Sequence, residues 1–183
     1  CGANALIDMV LDYDREILHG ADDSIMRLMA GDMRPLRLGR GYAPCNLSLP
    51  LRFQADGPIV GMGAGQKSTL SFVDSNQVLI SPYIGDLQSV DSIKRYEKDF
   101  IFFSTLYKQD IGALVYDLHP QYPSTQKALA YGNGRDVKKY ALSHHKAHFY
   151  ALLAESNALE EAGIGIIWDG TGLGEDRHIW GGE

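Results

Sequence analysis

Two short runs in this chain carry residues able to do chemistry. Ser143-His144-His145-Lys146-Ala147-His148 sets two imidazoles four residues apart, and Asp169-Gly170-Thr171-Gly172-Leu173-Gly174 follows about twenty residues later. On a helix, residues four apart share a face, with Cβ atoms roughly 5–6 Å apart. His144 and His148 can therefore offer neutral ring nitrogens to one metal ion at about 2.0–2.1 Å. Two histidines do not fill a coordination sphere. A third ligand has to come from elsewhere, and a carboxylate there moves the preference from zinc toward iron or manganese. The competing reading is a histidine-rich helix end whose side chains hydrogen-bond locally. His145 points about 100° away around the helix, as a neighbour of the site and not a ligand.

The glycine run has a similar logic. Gly170, Gly172 and Gly174 permit positive φ and close backbone approach. Successive N–H groups in such a turn cradle an anion. Asp169 opens the turn and can hold a metal or orient a hydroxyl, which makes Asp169, Gly170, Thr171 and Gly172 candidate nucleotide or phosphate contacts. An ordinary glycine-rich hairpin is the alternative.

A second glycine run, Gly61-Met62-Gly63-Ala64-Gly65-Gln66-Lys67-Ser68, resembles a phosphate-binding P-loop at first sight. The spacing does not fit that motif, and the residues after Lys67 alternate as a strand where a P-loop continues as a helix. What survives is a hairpin with Gly63 and Gly65 near a phosphate and Lys67 as a point charge. Asp117 and His119 end an apolar stretch from Ile111, and open α/β sheets place their sites at the carboxyl ends of strands. They serve equally well as a strand end capped by an aspartate.

The elements that must position these groups follow from periodicity. Apolar residues at 93, 96 and 100 predict a helix over Asp91–Phe103. Good helix formers predict another over Tyr140–Leu159, ended by Gly163. Gln126–Tyr131 is a further short helix. Strands are expected from Ile59, over Val78–Ile80, over Ile111–Asp117 and over Ala162–Trp168. Residues 1–33 are acidic and helix-like in part, and Arg34–Pro44 is a basic connector, so the chain divides near residue 45. The class is α/β.

Composition excludes several roles. The 183 residues carry a net charge of −6 and a pI near 5.5, which argues against a nucleic-acid surface driven by bulk charge. No apolar stretch approaches the ~18 residues of a membrane span. Two cysteines, Cys1 and Cys45, make no disulfide framework and suit a reducing cytoplasm.

Taken together, the motifs resemble a known family. Arg40-Gly41-Tyr42-Ala43-Pro44, the Gly63–Thr69 hairpin, Ile84-Gly85-Asp86-Leu87, Asp117-Leu118-His119-Pro120-Gln121-Tyr122, His144-His145-Lys146-Ala147-His148 and Asp169-Gly170-Thr171-Gly172 occur in the order seen in HypF, the carbamoyltransferase family of NiFe-hydrogenase maturation. The resemblance implies that residues 1–45 are the tail of a YrdC-like α/β domain. It implies that 46–183 are the first lobe, and the start of the second, of a TsaD-like domain with the actin-like ATPase (ASKHA) fold. The implied activity uses carbamoyl phosphate and ATP, passes through carbamoyl adenylate, and carbamoylates the C-terminal cysteine of HypE. The family's metal histidines fall on His144 and His148, with a divalent metal as cofactor. Its nucleotide-facing hairpins fall on Gly63 to Lys67 and Asp169 to Gly172. His145, Asp117 and His119 are left as neighbours behind the ligands.

The chain departs from the family where Pro82-Tyr83 replaces Gln-His, where Leu38-Gly39 interrupts an arginine run, and where Gly65-Gln66-Lys67 replaces Glu-Leu-Lys. The acylphosphatase and zinc-finger-like modules of the family have no counterpart in these residues. The resemblance thus implies a fragment, inactive alone and prone to self-association through an uncovered cleft. Two other readings remain at this point: a TobZ-like O-carbamoyltransferase acting on a small-molecule hydroxyl, and a metal- or nucleotide-binding module without enzymatic activity.

Overall fold

The computed structural model describes residues 8–182, so Cys1 and the neighbouring residues read above, together with Glu183, lie outside it. The first element is an antiparallel hairpin, β1 (Ile25–Met29) and β2 (Asp32–Arg37). It turns at Ala30 and Gly31, with φ of +51° and +91°. Positive φ at both positions is the turn whose twist matches the strands it joins. This corrects the expectation of partial helix over 1–33: no helix occurs among the described residues there. Ala-Gly is not the usual Asn-Gly turn signal, and both strands are largely exposed, so their apolar residues do not alternate with a buried face.

The main body is a six-stranded sheet made of β3 (Cys45–Ser48), β4 (Ile59–Gly61), β5 (Ser71–Asp74), β6 (Gln77–Ile80), β7 (Ala113–Asp117) and β8 (Lys138–Leu142), in the order β3-β6-β5-β4-β7-β8. β4 pairs in parallel with β7, and β7 with β8; the other neighbours are antiparallel. Val60 stands opposite both Phe72 and Leu114, and all three are fully buried. A helix crosses between parallel strands because they cannot be joined by a tight turn.

α1 (Val90–Ser104) follows β6, as its apolar period predicts. Ser89 caps it, accepting from the Ser92 N–H, while Ser92 Oγ accepts from the Ser89 N–H. Tyr96, Phe100 and Phe103 then face the sheet and pack with Phe72 and Leu114. The buried Tyr96 hydroxyl donates to the Met62 carbonyl at 2.6 Å, so the helix fixes the turn after β4. α2 (Pro123–Tyr131) links β7 to β8; it starts earlier than the sequence suggests because Pro123 sits in its first turn, where a missing N–H costs nothing.

α3 (His144–Glu155) corrects the predicted helix over Tyr140–Leu159 at both ends. Lys138–Leu142 pairs with β7 instead, since a ladder to a buried neighbour outweighs modest helix propensity. Ser143, in an extended conformation, is the residue before the helix. Asn157 ends it at φ +57°, well ahead of Gly163. The strand expected over Ala162–Trp168 is also corrected. These residues join no ladder, and Ile164, Ile166 and Trp168 are exposed. An apolar run becomes a strand only against a partner. The chain closes with a small hairpin, β9 (Gly172–Leu173) and β10 (Ile179–Trp180), seated against α3. Among the described residues no helix is long and apolar enough to cross a membrane.

Candidate metal and nucleotide site

β7 ends at Asp117 and only Ser143 separates the end of β8 from the start of α3, so the carboxyl ends of two parallel strands deliver Asp117 and His144 to the same place. Asp117 is nearly fully buried. Its Oδ1 accepts the His119 N–H at 2.8 Å, and its Oδ2 lies 3.0 Å from His144 Nδ1. That leaves His144 Nε2 pointing outward. Helical spacing then brings His148 Nε2 to 3.2 Å from it.

The third group comes from the glycine turn. Asp169 Oδ1 accepts the Gly170 N–H at 3.0 Å, which turns Oδ2 toward the histidines. Oδ2 lies 3.1 Å from His144 Nε2 and 3.9 Å from His148 Nε2, buried and without a hydrogen-bond partner. Three electron-pair donors thus converge, with all their ligand atoms inside 4.8 Å of one another. Donors held about 2.0–2.1 Å from one cation stand roughly 3.0–3.4 Å apart. Two of the three edges, 3.2 and 3.1 Å, fall in that range and the third, His148 to Asp169, is longer at 3.9 Å; an orphaned buried carboxylate oxygen is what a cation would satisfy. Two imidazoles and one carboxylate with open positions suit a divalent ion of the zinc, iron or manganese group.

The electrostatics differ at the two histidines. Donating its Nδ1–H to the Asp117 carboxylate holds His144 above the ordinary imidazole range, with the Asp169 charge adding to it, so this ring must shed a proton from one nitrogen to bind a metal. Burial pushes His148 down, and the neighbouring His144 pushes it further. A lowered imidazole is neutral at physiological pH, the form that binds metal.

Close packing sets the turn against the helix. A methyl added at Gly172 would lie 2.8 Å from His144 Cβ and 3.0 Å from the His145 ring. The Gly182 N–H donates to the Asp169 carbonyl at 2.9 Å, and Lys146 of α3 pairs with Glu175 in the loop between β9 and β10. His145 is buried beneath this contact. Its Nε2 is 3.8 Å from Asp169 Oδ2, and neither ring nitrogen has a hydrogen-bond partner.

A cleft of about 410 Å³ opens beside the cluster, lined by Gly61, Gly63, Ala64, Thr69, Asp117, His144 and His148 among others. Gly63 therefore faces the same space as the histidines. The other two residues of that glycine run do not. Gly65 is buried against the Tyr122 ring, 3.0 Å from where its Cβ would be. Lys67 is exposed, with its N–H donating to Asp86 Oδ1 at 2.8 Å, and its side chain lines no part of the cleft. His119 also turns away and stacks on Tyr122 with ring centres 4.3 Å apart. A second cleft of about 340 Å³, between His148, Phe149, Leu152, Trp168 and Asp169, adjoins the cluster on its other side. Ala64 and Thr69, which the sequence offers only as members of the glycine hairpin and not as site residues, line the first cleft beside Gly63.

A family model described as the HypF Kae1-like domain matches residues 54–155. Carbamoyltransferase HypF of Synechocystis sp. is 38% identical over 178 residues, covering 97% of this chain and 22% of that protein. The probable carbamoyltransferase HypF of Methanocaldococcus jannaschii is 32% identical over 182 residues, covering 98% of this chain and 23% of that protein. Among solved structures, full-length HypF in a phosphate- and nucleotide-bound form superposes with a TM-score of 0.84 at 33% identity, over 98% of this chain and 28% of that one. HypF of T. kodakarensis superposes with a TM-score of 0.82 at 30% identity, over 93% of this chain and 22% of that one. The chain spans about a fifth of the length of the curated relatives it matches.

Proposed function

Because the chain belongs to the HypF family through its Kae1-like domain, we propose that it supplies the metal-binding half of a carbamoyl-transfer site. The observation that carries this reading is the convergence of His144 Nε2, His148 Nε2 and Asp169 Oδ2 at the mouth of a cleft floored by the β4–β5 turn. On this reading residues 1–45 are the tail of a YrdC-like domain. Residues 46–183 are the first lobe, and the start of the second, of an actin-like ATPase fold. The strand order β6-β5-β4-β7-β8, with a parallel half and an antiparallel half, supports that assignment.

His144, His148 and Asp169 hold a divalent ion, and Asp117 orients His144 from behind. When bound, such an ion neutralises phosphate charge and polarises the leaving group. The chain's own residues do the rest. Gly63 and its neighbours let a phosphate or adenylate approach the backbone, while Gly170, Thr171 and Gly172 bring further amides to the far side of Asp169. The substrates are carbamoyl phosphate and ATP, used through carbamoyl adenylate. The carbamoyl group then passes to the C-terminal cysteine thiolate of HypE, with AMP leaving and the thiolate attacking the carbamoyl carbon. Family membership and the relatives' name, carbamoyltransferase HypF, support carbamoyl transfer as the reaction.

The test is carbamoyl transfer to HypE by a full-length protein carrying this segment, with carbamoyl phosphate and ATP. Substituting His144→Ala with His148→Ala is expected to abolish transfer while AMP formation from ATP and carbamoyl phosphate continues. Transfer at the unsubstituted rate would reject the reading.

A further inference from the structure

We propose that His145 is a positioning residue for Asp169, its Nε2–H aiming the Oδ2 oxygen that faces His144 and His148. The inference rests on the metal reading above and deepens it by naming what orients the carboxylate ligand. Asp117 orients His144 from behind through Nδ1. Asp169 has no such support at Oδ2. The Gly170 N–H binds only Oδ1, at 3.0 Å, and Oδ2 is buried without a hydrogen-bond partner.

His145 supplies the missing donor. Its side chain is 4% exposed, so this chain's own residues enclose it. Neither ring nitrogen has a hydrogen-bond partner among the described residues, and Nε2 stands 3.8 Å from Asp169 Oδ2. A buried donor and a buried acceptor, both unpaired, therefore face each other. Each costs free energy in that state, because water was given up and nothing replaced it. An N–H···O bond forms at about 2.9–3.0 Å, so an approach of about 0.9 Å satisfies both. A carboxylate oxygen has two lone pairs: one accepts from His145, and the other stays open to a cation. Packing keeps the pair together. His145 follows His144 on α3, about 100° around the helix, so its ring lies under the glycine turn while His144 and His148 line the cleft. A Cβ at Gly172 would be 3.0 Å from His145 Nε2. The Trp180 ring of β10 lies 6.4 Å from the His145 ring, centre to centre. A leucine would fill this space with no unpaired polar atom; an imidazole is explained by the oxygen it faces.

The test is the affinity of iron(II), manganese(II) and zinc for a full-length protein carrying this segment, by competition with a fluorescent chelator. Binding at this site is the part lost in His144→Ala/His148→Ala. His145→Gln sets an amide N–H near the place of Nε2 and should bind nearly as tightly as the unsubstituted protein. His145→Leu has no donor, and the amide of His145→Asn stops short, near the place of Nδ1. Both should weaken binding about 10- to 100-fold while circular dichroism shows an intact fold. A packing role for His145 predicts instead that the two amides, which differ only in reach, bind alike. The comparison of His145→Gln with His145→Asn also decides the matter if the leucine variant does not fold. Equal affinities in the two amide variants, or full affinity in a folded leucine variant, would overturn this inference and leave the metal site standing. Absence of any binding that depends on His144 and His148 would overturn the metal reading and this inference together.

Discussion

Asp117 Oδ2 stands 3.0 Å from His144 Nδ1, so the last residue of β7 fixes the ring that opens α3. Because Nδ1 is engaged, Nε2 is the nitrogen free to bind a metal, and a carboxylate behind a ligating histidine also raises its basicity. Asp117→Asn should therefore weaken divalent-metal binding about 10- to 100-fold without unfolding the chain. Competition titration against a fluorescent chelator, with circular dichroism as the folding control, measures this. Unchanged affinity in a folded variant would remove Asp117 from the site.

Gly172 is where the glycine turn meets α3. A methyl there would sit 2.8 Å from His144 Cβ, between two segments that cannot easily separate. Gly172→Ala should cost about 1–3 kcal/mol and move Asp169 off the histidines. Thermal melts and a metal titration should both show the defect. A variant with unaltered melting temperature and affinity would mean that the turn is not held against the helix.

The stability of the fold should also carry a signature of Asp99. Burial raises its carboxyl above the ordinary value of 3.8. A raised acid contributes stability that is complete below the unfolded value and is lost as pH rises through the folded one. Urea unfolding should show a decline from about pH 4 upward, at up to ~1.4 kcal/mol per pH unit while the native group alone holds its proton. Asp99→Asn should lack this decline. Equal slopes in the two proteins would contradict the assignment.

How much of this could be read from residues alone differs by element. The α1 helix was legible because Ile93, Tyr96 and Phe100 repeat at helical spacing, and β7 because its apolar run is bounded by Gly112 and Asp117. The start of α3 was not: Lys138–Leu142 has the composition of a helix, and only its pairing with β7 makes it a strand. Ala162–Trp168 reads as a strand, yet it joins no ladder among the described residues, and partners are not written in a strand's own sequence. At the site, the four-residue spacing of His144 and His148 set them on one helical face. The 3.1 Å approach of Asp169 and the burial of Asp117 depend on how separate elements meet. Lys67 shows the same limit, since a lysine beside glycines invites a phosphate reading, while its absence from the cleft lining follows from how the β4–β5 turn folds.

The central claim is that His144, His148 and Asp169 hold one divalent ion, and metal content tests it most directly. The chain and its His144→Ala/His148→Ala variant would each be loaded with iron(II), manganese or zinc, dialysed, and analysed by mass spectrometry for bound metal. The account predicts about one ion per chain of at least one of these metals, and loss of that ion in the folded double variant. An unsubstituted chain that retains none of the three, or a double variant that retains the ion, would contradict it.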